Sequence, residues 1–421
     1  MLKIILFFLL FEFTFAIDAT MEIVKNKSSL PTISVVSATN TNKYQSIDNK
    51  LLHLIQKDLQ VSCHFNINPV TIDSKFNDLP QFNILKENGI DLYLIFQVTQ
   101  DTEMRYIVNV KLYDVNMNGM VFNRSYATSS YERYPFLAHK VSIDVNRYLN
   151  APSIDWMDKF VIFSRYLDSK TSEIVIADYT LSYQKVVVKG GLNIFPKWAT
   201  SEQDAFYYTS YRGVLPALMK QNLYTSQVEK LLESDGMIVC SDVSDDGKKL
   251  VLTMAPNSQP DIYVYNTETR IKTRITKYVG IDVGGNFVEN DSKIVFVSDR
   301  LKYPNVFSKK IGQNGVERMI YHGRNNSQCT TSDDYIVYSS RESDNEFGDN
   351  AFNLYFISTK SDYVRRLTTN GRNQFPKFSS NGESILFIKS ADKSYLGIIR
   401  INYNKSFLFP LKSGKLQSID W

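Results

Sequence analysis

Residues suited to catalysis or metal binding are scarce in this chain. Three of its 421 residues are cysteine and four are histidine. With Cys63, Cys240 and Cys329 as the full set, at least one thiol has no partner, and no pair has zinc-ligand spacing. Cys240 and Cys329 occupy matching places in repeat units that are not neighbours, which argues against a disulfide. There is no Gly-x-Ser-x-Gly elbow, phosphate loop or dinucleotide fingerprint, which disfavours the common hydrolase and nucleotide chemistries. No cofactor or metal is expected. A one-sided charge is missing too: the net charge is +4, with basic and acidic residues interleaved, so no nucleic-acid surface is expected. After residue 16 no apolar run is long enough to cross a membrane.

Residues 1–16 read as a secretory signal. Lys3 supplies the charged start, Ile4 to Phe15 the apolar stretch (interrupted by Glu12), and Thr14 and Ala16 the small residues before a cut. The competing reading is an uncleaved anchor, for which the stretch is short. Residues 17–30 form a polar arm. Its scattered apolar residues, Ile17, Met21, Ile23 and Val24, alternate in a way suited to adding a strand to a partner's sheet edge.

What is abundant is repetition. Phe195-Pro196-Lys197-Trp198 returns as Phe375-Pro376-Lys377-Phe378, 180 residues later, four periods of about 45. Each unit reads as an opening loop, a turn and three strands. The turns include Ser244-Asp245-Asp246-Gly247, Asn290-Asp291-Ser292, Ser332-Asp333-Asp334 and Ser380-Asn381-Gly382. Runs such as Ile294-Val295-Phe296-Val297 and Tyr335-Ile336-Val337-Tyr338 have the β-branched and aromatic residues that strands prefer. Units of this length cannot bury their own apolar face and must stack, which predicts a β-propeller over residues 152–421. The first unit, with strands Phe160 to Phe163, Glu173 to Ile176 and Lys185 to Val188, lacks a recognisable opening. The last residues, Leu416 to Trp421, look like an opening strand with no unit behind it. The expectation is six blades, with this strand completing the first and closing the ring. The repeated aromatic and turn residues read as packing and geometry, not as a site. Arg165, Arg212, Arg300 and Arg341 read as surface or inter-blade pairs, and His322 lies between units.

Residues 31–151 follow another pattern. A strand is expected at Thr32 to Val36, and a helix capped by Ser46 that runs to Gln60. A second helix is expected at Leu79 to Asn88, closed by Gly89, then a strand from Asp91 to Thr99. Met104 to Val115 and Met120 to Thr128 form a hairpin, and a third helix spans Pro135 to Leu149. The sum is a small α/β domain with a mixed sheet. His53 and His139, on helices, read as surface or packing residues.

The order of signal, polar arm, α/β domain, six repeats and final strand resembles the TolB family, periplasmic propeller proteins of the Tol–Pal system. The match is carried by Phe195-Pro196-Lys197-Trp198, Ser244 to Lys248, Lys293 to Arg300, Gln374 to Gly382, the terminal strand, and an opening in which Asp18 to Ile23 precedes Leu30 to Val35. It spans essentially the whole chain. The propeller motifs are shared by many propellers, whereas the domain order is more specific.

The resemblance implies a non-enzymatic, monomeric protein in the periplasm of a Gram-negative bacterium. It implies that the propeller mouth receives Pal, the peptidoglycan-associated lipoprotein, and so reaches the outer membrane only peripherally. The mature N-terminus would bind the C-terminal domain of TolA, and the complex would support outer-membrane integrity and constriction at division. On that basis the Pal-facing residues are Met237, Ile238, Cys240, Ile281, Asp282, Val283, Asn326, Gln328, Asn373 and Gln374, with Asp282 and Gln328 the preferred polar contacts. The TolA arm is Asp18, Met21, Glu22, Ile23 and Val24, placed by position alone. Where relatives carry a His and a Thr-Glu pair, this chain has Met237 and Val283-Gly284. The alternatives are a secreted propeller enzyme acting on glycans and a periplasmic ligand sensor.

Overall fold

A computed structural model describes residues 30–39, 42–69, 75–341, 351–361 and 363–421. The signal segment and all of the arm except Leu30 lie outside the described residues.

The first domain is a mixed sheet under two long helices. β1 (Thr32–Ser37) lies parallel to β2 (Asn66–Asn68) and to β3 (Leu92–Gln100), and β3 continues antiparallel into β4 (Tyr106–Asp114) and β5 (Gly119–Thr128). Alternation sends Ile33, Val35, Leu94, Phe96, Val108 and Val110 to one face. There they meet Leu51, Ile55 and Leu59 of α1 (Gln45–Ser62) and Leu137, Val141 and Val145 of α3 (Tyr134–Tyr148). The other face, with Val36, Tyr93, Ile95 and Tyr113, packs on Leu85 of the short α2 (Phe82–Glu87).

Three details differ from expectation. Ser46 does not cap α1: Tyr44 holds the cap position, and the Ser46 hydroxyl pairs with Tyr131 at 3.0 Å. α2 is shorter than expected because Leu79 is exposed and Pro80 precedes it. β2, Asn-Ile-Asn, has no periodicity to announce it.

The rest of the described chain is a β-propeller of antiparallel sheets. One contains β6 (Val161–Tyr166), β7 (Ser172–Ala177) and β8 (Gln184–Val188). The next three are β9 (Asn193–Trp198) to β12 (Val228–Glu233) through β10 (Ala205–Ser210) and β11 (Ala217–Asn222), β13 (Ile238–Val243) to β16 (Lys272–Arg274) through β14 (Lys249–Met254) and β15 (Asp261–Asn266), and β17 (Asp282–Val288) to β20 (Glu317–Arg318) through β18 (Lys293–Ser298) and β19 (Asn305–Lys310). Then come β21 (Arg324–Ser332), β22 (Tyr335–Arg341), β23 (Phe352–Ser358) and β24 (Val364–Arg366), followed by β25 (Arg372–Phe378), β26 (Ser384–Ser390), β27 (Ser394–Arg400) and β28 (Lys405–Pro410). A single parallel bridge, Phe352 to Arg372, joins these last two groups into one eight-stranded sheet. β29 (Lys415–Asp420) pairs antiparallel with β6.

The segments read as opening loops are therefore strands, and the sheets have four strands rather than three. Pro196 and Pro376 hid two of them, β9 and β25, because a proline inside a strand normally argues against one. The turns match: Gly247 and Gly382 have φ of +71°, and Gln203 (+58°) and Asp333 (+47°) take the same left-handed conformation elsewhere.

Candidate functional site: the central channel

Six strands line the channel: β9, β13, β17, β21, β25 and β29. Each carries a register shift against its neighbour, at Phe195-Pro196, Ser241, Gly284-Gly285, Gln328, Phe375-Pro376 and Gln417. A bulge bends the strand and re-aims its side chains, and here they reach the next sheet. The Ser241 hydroxyl donates to Gly285 O (2.7 Å), Asn286 Nδ2 to Cys329 O (3.2 Å), and Phe375 N–H to Gln328 Oε1 (3.0 Å). Trp421 Nε1 donates to Phe378 O (2.5 Å) and Phe195 N–H to the Ser418 hydroxyl (3.1 Å).

Just past each bulge, one residue per strand reaches the waist of the channel: Lys197, Asp242, Asn286, Thr330, Lys377 and Asp420. They are paired in register with Tyr207, Val251, Val295, Val337, Leu386 and Ile162. Lys197 stands between the two aspartates, 3.3 Å from Asp242 Oδ1 and 3.1 Å from Asp420 Oδ1. The other carboxylate oxygens accept backbone N–H groups, Phe287 to Asp242 and Trp198 to Asp420, each at 2.9 Å. Burial opposes the Lys197 charge, but Asp420 and Asp242 outweigh it and hold the ammonium above its ordinary range. Lys377, the repeat counterpart, is placed differently. Among the described residues no carboxylate lies within 4.0 Å of its Nζ; burial and the like charge of Lys197 lower its pKa, and Asp420 and Asp242 offset that only in part. Burial also pushes Cys329 up to about 12 and Cys240 further, so both stay protonated thiols. All three cysteines are free.

The two mouths differ. On the side where the inner strands begin, a funnel of about 350 Å³ is walled by Phe195, Pro196, Met237, Val239, Val283, Phe375, Pro376 and Ile419. On the other side a cavity of about 510 Å³ carries Asp245, Glu289, Asp291, Asp333 and Asp334. The first domain sits on this acidic side. Tyr179, in the turn after β7, donates to Asp58 of α1 (2.6 Å), and Tyr403 pairs with His64 (2.7 Å). The funnel face is left uncovered by that domain. Its loops expose Leu167, Val214, Leu215, Val279, Ile281 and Tyr321, an apolar rim drawn from several sheets.

The expected Pal-facing residues divide by burial. Met237, Cys240, Val283 and Gln328 line the funnel, Gln374 is half-buried near it, and Ile281 is on the rim. Ile238, Asp282, Asn326 and Asn373 are buried away from the funnel, which corrects the expectation that they present surface contacts. Asp282, expected as a polar contact, is fully enclosed and accepts from Arg300 Nη2 at 2.9 and 3.0 Å. Asn326 and Asn373 reach back to Asn305 (3.2 Å) and Asn353 (3.3 Å), tying each inner strand to the preceding sheet. Apart from Ile281, the rim residues were missed. Their signal was apolar residues inside turn-like segments, Gly213-Val214-Leu215-Pro216 and Tyr278-Val279-Gly280-Ile281. The His322 ring lies tilted against Tyr355, centroids 4.5 Å apart, with its Nδ1 3.2 Å from the Tyr338 hydroxyl.

His139 also exceeded its expected packing role. It is fully buried, with Nδ1 2.8 Å from Asp58 Oδ2 and Nε2 3.4 Å from Asp178 Oδ2, so it bridges the two domains. Burial opposes its charge, but the two carboxylates raise its pKa to about 10.

Residues 159–421 match the family described as the TolB beta propeller domain, and residues 19–121 the TolB amino-terminal domain. The chain is 48% identical over 410 residues to a Wolinella succinogenes protein named Tol-Pal system protein TolB, covering 97% of each. It is 45% identical over 425 residues to the protein of that name from Campylobacter jejuni, covering 100% of each. The crystal structure of TolB from Acinetobacter baumannii superimposes with a TM-score of 0.76 at 22% identity, over 93% of this chain and 96% of that one, a likeness of fold. A propeller model matched over more than half of the chain, with relatives this similar over its whole length, leaves one assignment: the chain belongs to the TolB family.

Proposed function

We propose that this protein is a non-enzymatic periplasmic scaffold of the Tol–Pal system. It takes Pal on the funnel face and TolA through its mature N-terminus, and so supports outer-membrane integrity and constriction in division. The observation that carries the reading is the apolar rim. Leu167, Val214, Val279, Ile281 and Tyr321 stand exposed around an apolar funnel, on the face that the first domain leaves free. Apolar loop residues of this kind cost solubility unless something covers them. The propeller is read as six blades closed by β29. Three features support this: the pairing of β29 with β6, the Ser418 contact to Phe195, and the Trp421 contact to Phe378. The domain limits proposed are 1–16 for the signal, 17–30 for the arm, 31–151 and 152–421.

The test is calorimetry of the mature chain, starting at Ile17, with the soluble domain of Pal from the same organism. Saturable one-to-one binding is expected, and a folded protein that does not bind removes the Pal assignment. Deleting residues 17–28 should abolish binding of the TolA C-terminal domain while leaving the unfolding midpoint unchanged. Unaltered TolA affinity would sink the arm assignment.

A further inference from the structure

Lys197 and Lys377 are copies of one position in the repeat, yet only one is neutralised. The difference comes from the strands on either side. β9 lies between β13 and β29, which bring Asp242 and Asp420 to the waist, whereas β25 lies between β21, which brings Thr330, and β29, whose Asp420 is engaged by Lys197. Both carboxylates are further occupied by backbone N–H groups, so neither is free to turn to Lys377. A buried ammonium without a counter-charge is costly. That cost is relieved when a carboxylate arrives.

We propose that the funnel binds a carboxylate carried on an otherwise apolar, extended protein segment, with the Lys377 ammonium as its receptor. This rests on the reading of the funnel face as a docking face, and names what that face selects. The direction of approach follows from charge. An anion coming through the opposite mouth must pass Asp245, Glu289, Asp291, Asp333 and Asp334, which repel it. Through the funnel it passes Phe195, Pro196, Met237, Val239, Val283 and Phe375, which repel no charge and favour an apolar stem. The funnel's volume of about 350 Å³ suits a few side chains rather than a folded element. The water-poor walls strengthen the ion pair formed at the base.

The test uses a funnel reporter and a minimal probe. The mature chain is labelled on its methionine methyl groups, and the Met237 signal is assigned by Met237→Leu. It is then titrated with N-acetyl-leucine, its neutral twin N-acetyl-leucinamide, and inorganic phosphate. The acid should shift the Met237 signal saturably, with the amide and phosphate at least tenfold weaker, and Lys377→Met should remove the acid's effect. Equal responses to acid and amide, a response that survives Lys377→Met, or no response would each overturn the proposal. A response to phosphate equal to that of the acid would overturn the ligand class. In parallel, Lys377→Met should weaken Pal binding about tenfold without lowering the unfolding midpoint. If the unaltered chain takes the acid but not Pal, the site stands and the docking reading falls. If Pal binds both chains equally and the acid gives no response, the site falls and the docking reading stands.

Discussion

Replacing His139 by Gln should make the junction between the two domains fail in a pH-dependent way. In the native protein the imidazole lies between Asp58 of α1 and Asp178 at the end of β7, with no solvent access. Burial works against its proton, but the carboxylates prevail and the pKa rises from 6.5 to about 10. A raised pKa contributes stability that is complete below the unfolded value and is lost as pH climbs through the folded one. The window is therefore pH 6.5 to about 10. At about 1.4 kcal/mol per unit, the full contribution is of order 5 kcal/mol, and about 3 kcal/mol of it is gone by pH 9.

The glutamine variant keeps the volume but leaves two buried carboxylates without a cation, which costs about 3–5 kcal/mol near neutrality. Asp58 retains the hydroxyls of Tyr179 and Ser142, and Asp178 retains the Tyr183 N–H, so the loss is mainly one of charge. Trp156, edge-on to Tyr179 at 5.3 Å, is placed to report it by fluorescence. Urea unfolding of both chains at pH 6, 7.5 and 9 gives the difference between them, in which the titration of lysines and tyrosines common to both largely cancels. That difference should shrink by about 3 kcal/mol from pH 6 to pH 9. A constant difference would refute a charged His139.

Removing residues 414–421 takes away a paired strand, the buried Leu416 and Ile419, and one of the two counter-charges of Lys197. The cost should exceed about 4 kcal/mol from apolar burial alone, and an unchanged melting temperature would contradict it. Arg300→Ala leaves Asp282 buried and unpaired, and should destabilise by about 3–5 kcal/mol in urea unfolding. Adding Asp282→Asn should recover part of that loss, and an additive double variant would show that the pair is uncoupled. Val279→Asp and Tyr321→Asp lie on the rim and should shift stability by less than about 0.5 kcal/mol, while calorimetry shows Pal binding weakened tenfold or more. Full affinity in both would move the docking face elsewhere.

The architecture was readable because stacked repeats leave a period in the chain, and Phe-Pro-Lys recurs at the same point of two of them. What that point does was not readable. Proline and a left-handed Phe195 (φ +55°) make β9 look like a loop, because the local rules for strands are broken where the strand bulges. The burial of Asn326, Asn373 and Asp282 was hidden for a similar reason. Polar residues at the start of a strand normally face solvent, and here each is held by a partner 18 to 21 residues away: Arg300, Asn305 and Asn353. Asp58 and His139 are further apart still, joined by the packing of α1 on α3, and Asp178 reaches them only when the domains dock. Lys197 and Lys377 are alike in local sequence, and differ only in which strands the topology sets beside them.

That dependence on neighbours makes the seam between β29 and β25 more than a place where the chain ends. Val61 of α1 and Ile143 of α3 share one apolar cluster with Trp156, with Leu416 and Ile419 of β29, and with Leu396, Ile398 and Phe409 of the last sheet. Lys57 of α1 lies over the rings of Phe407 and Phe409, and Trp421 lies 5.3 Å from Trp156. The first domain therefore lies across the junction of the first and last sheets of the propeller. β29 supplies Asp420, which satisfies Lys197 and leaves Lys377 open. The contacts that dock the first domain and the charge at the base of the funnel thus share one strand, β29.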